Sequence, residues 1–175
     1  REIGVIETGE RNGIRFIHGR LTIGQILSPP LIRQAKSRIS DEETTIIDCP
    51  PGTSCPVIMA LRGADYILLM TEPTPFGLND LKLAADAARE LRIPFGVLIN
   101  RSDIGTRDTE KYCDKYAIPI LGRIPDDRRV AEAYSKGALI DTLIQLHGDV
   151  LRNTVQGISK ELAGKERISM HGRAE

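Results

Sequence analysis

The sequence has few cysteines, and the three that it has do not form a metal-binding or disulfide pattern. They stand at positions 49, 55 and 113 of 175 residues, and no two are spaced as C-x-x-C. Such scattered thiols argue against a disulfide framework, and on this chain alone they make no convincing zinc or iron–sulfur site. We therefore expect small buried cysteines in a reducing, cytoplasmic setting.

Long apolar runs and an excess of one charge are also missing. No stretch has the length of a membrane span, no signal peptide is recognisable, and 24 basic residues balance 24 acidic ones. We therefore expect neither a membrane nor a nucleic acid as a partner. The length suits one domain with a real core. The chain opens with Arg1 instead of Met, which indicates a fragment or a processed product.

Short apolar runs alternate with amphipathic segments through most of the chain. The Asn12-Gly13 step between two alternating runs predicts a short N-terminal β-hairpin over residues 1–20. Predicted strands then alternate with predicted helices, which indicates an α/β fold with a parallel sheet flanked by helices. The predicted strands are residues 44–48, 66–70, 95–99 and 118–124, and the clearest predicted helices are residues 57–61, 78–91, 106–116 and 143–162. A polar tail covers residues 164–175 after the domain of residues 1–163, and residues 163–175 are predicted to fray.

Each predicted core strand ends in a polar residue or a helix breaker. Asp48 ends the first strand before a Pro-Pro-Gly turn, and Thr71, Asn100 and Pro125-Asp126 follow the others. The carboxyl ends of parallel strands share one edge of a sheet, and ligands bind there. We therefore expect one ligand site formed by these residues.

Asp48 and Gly52 are the candidates for phosphate and metal chemistry. A carboxylate at a strand end can hold a magnesium ion through water, and the bare Gly52 N–H can donate to a phosphate oxygen. In the alternative interpretation, Asp48 caps the helix near Val57 and the prolines only punctuate a loop. These residues alone do not choose between the two.

The stretch from Asn100 to Asp103, N-R-S-D, superficially matches the Asn-Lys-x-Asp pattern that reads guanine in GTP-binding proteins, with an arginine in place of the lysine. An asparagine amide can hydrogen-bond a purine edge with both its donor and its acceptor. The alternative is a loop in which Asn100 and Asp103 cap the next helix.

Four stretches in this order resemble the MinD/ParA/Mrp group of P-loop ATPases. They cover roughly residues 44–140, about half of the chain, and several linked motifs in one order are specific. They read I-I-D-C-P-P-G-T-S-C, T-E-P-T-P-F-G-L-N-D-L, G-V-L-I-N-R-S-D and G-R-I-P-D-D-R-R-V-A-E-A-Y-S-K-G. The earlier stretch F-I-H-G-R-L-T-I-G-Q-I-L-S-P-P-L-I-R resembles a subgroup with an inserted ferredoxin-like domain that carries iron–sulfur clusters. This chain is then the part that follows the insertion.

The resemblance implies ATP and magnesium as ligands. On the phosphate side, Asp48 would be the Walker B aspartate and would hold magnesium through water. Pro51 and Gly52 would belong to the switch that senses the terminal phosphate. The resemblance also implies a homodimer of the complete protein and an iron–sulfur or redox partner.

On the base side, the resemblance implies that Asn100 contacts adenine. Pro125 and Asp126 would flank the base through main chain and ring face. The same resemblance implies adenine at this position, so the likeness of N-R-S-D to a guanine-reading pattern does not indicate GTP.

The sequence departs from the group in one important respect, because it lacks the phosphate-binding loop G-x-x-x-x-G-K-[ST]. Its only Gly-Lys pair, Gly164-Lys165, has no matching earlier glycine. The loop and the cysteine-rich insertion would both lie upstream of Arg1. Without the loop there are no backbone amides to bind the β-phosphate. We therefore describe the fold as P-loop NTPase-like but incomplete. We expect that this chain alone neither hydrolyses ATP nor forms a dimer through that loop.

Three classes of function stay open at this point. The chain can be the carboxyl-terminal part of an iron–sulfur-linked ATPase. It can be a binding or regulatory module that kept the fold without catalysis. It can also be a GTP-reading domain.

Overall fold

The computed structural model describes residues 3–25, 28–40 and 42–171, with side chains described up to residue 164. The chain forms two compact units, Arg1–Gly63 and Ala64–Glu175. In the part of the chain described here, no helix combines the length and the apolar character that crossing a membrane requires.

The first unit begins with the hairpin that the sequence predicts. Strand β1 (Gly4–Arg11) pairs antiparallel with strand β2 (Ile14–Leu21). The two turn residues, Asn12 (φ 52°) and Gly13 (φ 75°), are both left-handed, as a tight hairpin turn requires.

Helices α1 (Pro29–Lys36) and α2 (Cys55–Leu61) complete the first unit. Leu31 of α1 is buried and lies close to Gly19 of β2, where a larger residue would be crowded. The Lys36 ammonium group donates to the main-chain carbonyls of Met59, Ala60 and Arg62. These carbonyls lie at the end of α2, where no helical partner exists, so Lys36 ties α1 to α2.

The predicted strand over residues 44–48 is wrong as a regular strand. In this structure the segment has no assigned secondary structure, and none of the described strands pairs with it. Ile46 is 93% exposed. A strand is held by a ladder to a neighbour, so an apolar run without such a neighbour stays irregular.

The second unit contains the predicted parallel sheet. Strands β3 (Ile67–Thr71), β4 (Phe95–Asn100) and β5 (Ile120–Ile124) lie in the order β3-β4-β5, and both pairs are parallel. The helices are α3 (Pro75–Glu90), α4 (Asp108–Lys115), α5 (Arg128–Ser135) and α6 (Leu139–His171). This alternation confirms the α/β prediction.

Helix α6 is longer than the sequence predicts. It begins before Leu143 and continues past Leu162 to His171, through residues such as Ala, Lys, Glu and Arg that favour helix. The predicted fraying from residue 163 is therefore wrong as far as residue 171, and residues 172–175 lie outside the described part of the chain.

The core of the second unit is a small apolar cluster. It consists of Leu81, Ala85, Val97, Ile99, Cys113 and Ile118. On α6, Thr154 and Val150 approach Gly122 of β5 so closely that a Cβ there would clash.

Burial raises the pKa of the Cys113 thiol to about 11. The prediction of buried cysteines is confirmed for Cys113 and is wrong for Cys55, which is exposed, whereas Cys49 is partly buried.

Candidate functional site

Three of the four predicted strand ends lie at one edge of the sheet in the second unit, whereas Asp48, the fourth, ends none of the described strands. Thr71 and Asn100 are the last residues of β3 and β4, and Pro125 follows the last residue of β5. In the parallel ladders, Thr71 is opposite Ile99, and Asn100 is opposite Ile124. The loops of residues 72–74, 101–107 and 125–127 therefore leave the sheet side by side, and we call this the carboxyl edge.

Asn100 occupies the centre of the carboxyl edge, because β4 is the middle strand. Its side chain is half-buried and makes no hydrogen bond to any other residue described in the structure. One amide donor group and one carbonyl acceptor are therefore available to a ligand at this position.

Arg101 connects the loops on the two sides of Asn100. Its Nε donates to Asp126 Oδ1 at 3.0 Å, and its Nη1 lies 3.6 Å from Glu72 Oε2. All three side chains are about half-exposed, so each ion pair contributes little to stability, about 0–1 kcal/mol. The arrangement does orient Asp126, because one guanidinium group joins the loops after β3 and β5.

Asp103 makes a second connection between the loops after β4 and β5. Its Oδ1 accepts a hydrogen bond from the Asp126 backbone N–H at 2.7 Å. Nearby, the Ser102 N–H donates to the Ile124 carbonyl at 3.0 Å. One oxygen of the Asp103 carboxylate is thus used within the protein.

The helix-capping alternatives for these residues are wrong. Helix α4 has Arg107 at its N-cap position, well after Asn100 and Asp103. Helix α2 has Ser54 at its N-cap position, with no side-chain capping bond, so Asp48 does not cap it. Helix capping therefore does not account for Asp48, Asn100 or Asp103.

Gly105 allows the loop after β4 to lie directly on the loop after β3. It has a left-handed φ of 72°, and a Cβ at this position would overlap the Pro73 carbonyl oxygen. The next residue, Thr106, donates its N–H to the same Pro73 carbonyl at 3.1 Å. Only glycine fits this backbone and this spacing.

Asp127 begins helix α5 and fixes the end of the carboxyl edge. Its carboxylate caps the helix by accepting from the Arg129 N–H at 2.9 Å, and it also pairs with the Arg129 guanidinium group. These contacts, chiefly those with the Arg129 side chain, lower the pKa of Asp127 from 3.8 to about 2.

The phosphate-side candidates Asp48, Pro51 and Gly52 belong to the first unit. All three are exposed, and Gly52 has a left-handed φ of 92° with open space where a Cβ would stand. No cluster of three or more His, Cys, Asp or Glu side chains is placed to hold a metal ion in the described ranges. A lone exposed carboxylate such as Asp48 does suit magnesium, which binds one or two carboxylates and keeps several waters.

The sequence interpretation missed the connecting roles of Glu72, Arg101 and Asp103. A sequence signal is present for the contacts of Arg101, because this arginine after β4 stands between acidic residues that follow β3 and β5. Parallel strands bring such positions together at one edge, so their opposite charges predict ion pairs.

The fold defines the class as an α/β protein with a parallel sheet. In proteins of this class, ligands bind at the carboxyl edge of the sheet. No protein-family model matches the chain. An uncharacterised protein of Methanocaldococcus jannaschii is 32% identical over 139 residues, which are 78% of this chain and 48% of that protein.

Two further relatives from the same organism have more informative names. An iron–sulfur cluster carrier protein is 28% identical over 137 residues, covering 69% of this chain and 47% of the relative. An uncharacterised ATP-binding protein is 28% identical over 101 residues, covering 54% and 37%. The chain spans about half the length of the curated relatives it matches, with 48% of the uncharacterised protein named first and 47% of the iron–sulfur cluster carrier protein.

Proposed function

We propose that this chain forms part of an ATP-binding and ATP-hydrolysing protein of the Mrp kind, which acts with iron–sulfur clusters. The observation that carries the proposal is the Asn100 amide, without a hydrogen-bond partner among the described residues, at the centre of the carboxyl edge. The names of the similar iron–sulfur carrier and ATP-binding proteins support this choice.

On the base side, Asn100 reads the edge of adenine. Adenine presents an amino donor beside a ring-nitrogen acceptor, and an amide offers the complementary acceptor and donor. Pro125 and the Asp126 main chain flank the ring, because the loop of residues 125–127 leaves the sheet next to Asn100. The ties from Arg101 and Asp103 hold this loop in place before the ligand arrives.

On the phosphate side, Asp48 holds magnesium through water, and the Gly52 N–H donates to the terminal phosphate. Pro51 stiffens the approach to Gly52 because its φ angle is fixed. Bound magnesium supplies positive charge that offsets the charge developing on the phosphates.

The sequence of 175 residues does not contain the phosphate-binding loop that phosphoryl transfer requires. Hydrolysis, and any nucleotide-bridged homodimer, are therefore proposed for the complete protein with such a loop. The same holds for cluster binding, since Cys113 is buried and the other two cysteines form no cluster motif. A reducing, cytoplasmic setting and a redox or iron–sulfur partner complete the proposal.

Asn100→Ala in the complete protein tests the base-side assignment. We expect about a tenfold loss of ATP affinity, since a hydrogen bond between a ligand and a protein side chain contributes about 1–1.5 kcal/mol. Isothermal titration calorimetry with a non-hydrolysable ATP analogue measures it. Asn153→Ala, the same change on the exposed side of α6, is the control and should bind normally. Equal affinity of Asn100→Ala and the control would refute the assignment.

A further inference from the structure

The hydrogen bond between Asp103 and the Asp126 backbone bears on which residues of the site recognise the base. We propose that Asp103 is a positioning residue, which holds the loop of residues 125–127 against the carboxyl edge and does not read the base. This inference rests on the proposed nucleotide function, and it concerns which groups of the site determine base specificity.

The first support is the hydrogen bond itself. The distance of 2.7 Å from the Asp126 N–H to Asp103 Oδ1 is that of a charge-assisted bond. The two residues are far apart in sequence, so the bond fixes one loop against another. The neighbouring bond from the Ser102 N–H to the Ile124 carbonyl attaches the same two loops at a second point.

The second support is that Asp126 is held at both of its polar ends. Asp103 takes its backbone N–H, and Arg101 takes its carboxylate. The Arg101 guanidinium group also offsets the charge of Asp126 beside Asp103, which would otherwise repel it. Together these contacts leave little freedom for the segment proposed to flank the base.

The third support is the chemistry that guanine would need. A carboxylate that reads guanine accepts from two adjacent donors, the ring N1–H and the exocyclic amine. The bond from the Asp126 N–H to Asp103 Oδ1 fixes the orientation of this carboxylate towards the loop of residues 125–127. A carboxylate oriented by the protein in this way serves the loop, and base selection is assigned to Asn100 and to main-chain groups, so changes at Asp103 should affect adenine and guanine nucleotides equally.

A pair of substitutions in the complete protein separates positioning from base reading. In Asp103→Ala the acceptor is lost, and we expect ATP affinity to fall about 5- to 20-fold with an unchanged ratio of ATP to GTP affinity. In Asp103→Asn the amide oxygen still accepts from Asp126, and we expect ATP affinity within about threefold of wild type. Asp149→Ala, which removes an exposed carboxylate that pairs with Arg152, is the control.

Hydrogen exchange of the Asp126 amide, followed by NMR without ligand, gives a readout independent of nucleotide binding. We expect faster exchange in Asp103→Ala and wild-type exchange in Asp103→Asn and in the control. Unchanged exchange in Asp103→Ala would overturn the positioning role.

Binding of xanthosine triphosphate tests the competing role directly. If residue 103 faced the base, the wild-type carboxylate would accept from the exocyclic amine of guanine. The amide of Asp103→Asn would instead donate to the carbonyl that xanthine has at the same position. Gain of xanthosine triphosphate binding in Asp103→Asn, or loss of GTP binding alone, would overturn the inference. If the wild-type protein bound no nucleotide, the proposed function would fail, whereas the exchange measurement would still decide whether Asp103 holds the loop.

Discussion

Asp48 is the residue on which the proposed chemistry depends most directly. In the complete protein, Asp48→Asn should lower ATP hydrolysis at least about 100-fold, because the amide lacks the charge that holds the magnesium shell. The two side chains are nearly equal in size, and Asp48 is exposed, so the melting temperature should change little. Phosphate release and circular dichroism measure the two effects.

Asp65→Asn, at another exposed aspartate, is the control for this substitution and should hydrolyse ATP normally. Wild-type turnover by the Asp48→Asn protein would show that the metal is held elsewhere.

Asp127 should make stability depend on pH at the acidic end. Its pKa is lowered from 3.8 to about 2 in the folded protein, because it is bonded to Arg129 as a carboxylate. The stabilisation is therefore fully present above the unfolded pKa of about 4 and is lost as the pH falls towards 2. Asp127→Asn should be less stable than wild type at pH 7, and the difference should shrink between pH 5 and pH 2.5.

Thermal unfolding at a series of pH values measures this convergence. Asp149→Asn, whose carboxylate pairs with Arg152 on the exposed side of α6, should show a much smaller difference at neutral pH. A wild-type advantage at position 127 that stayed constant down to pH 2.5 would contradict the account.

Among the elements of the fold, the loop after β4 depends on a single glycine. Gly105→Ala should destabilise the protein by about 1–3 kcal/mol and weaken ATP binding, because the new methyl group meets the Pro73 carbonyl and the φ angle is left-handed. Gly137→Ala provides a matched control, since Gly137 has a φ of 71° but open space around it.

Urea denaturation of the two alanine variants separates the clash from the backbone strain. Gly137→Ala should lose about 1 kcal/mol and keep wild-type ATP affinity. If both variants lost the same stability and bound ATP equally well, the contact with Pro73 would have no role in the site.

Some elements of the fold could be predicted from the sequence. The hairpin was predictable because Asn12 and Gly13 specify its turn locally. Strands β3 to β5 were predictable because each apolar run is bounded by breakers. Residues 44–48 have the same pattern, yet they form no strand here, because pairing depends on a neighbour and not on the run itself.

The candidate site was predictable to a similar extent. The position of Asn100 follows from its place at the end of a strand. The Arg101 ion pairs follow from opposite charges at neighbouring strand ends, once the sequence has indicated a parallel sheet. The bond from the Asp126 N–H to Asp103 could not be predicted, since it joins a side chain to a backbone group in a loop that is distant in sequence.

For the whole molecule, the missing phosphate-binding loop leads to a prediction about turnover. The purified 175-residue chain should release no phosphate from ATP with magnesium, whereas a complete protein with the loop should do so. A malachite-green assay of both proteins at equal concentration tests this. Magnesium-dependent hydrolysis by the 175-residue chain would mean that the phosphate site lies elsewhere in its sequence.

The unequal exposure of the cysteines makes the molecule suitable for selective labelling. Cys113 is fully buried with a pKa of about 11, and burial, followed by the charge of Asp48, raises the pKa of Cys49. Cys55 is exposed at the first residue of α2, close in sequence to Gly52. A maleimide dye should therefore react first at Cys55. A fluorophore there would report changes at the glycine turn in real time, without any engineered cysteine.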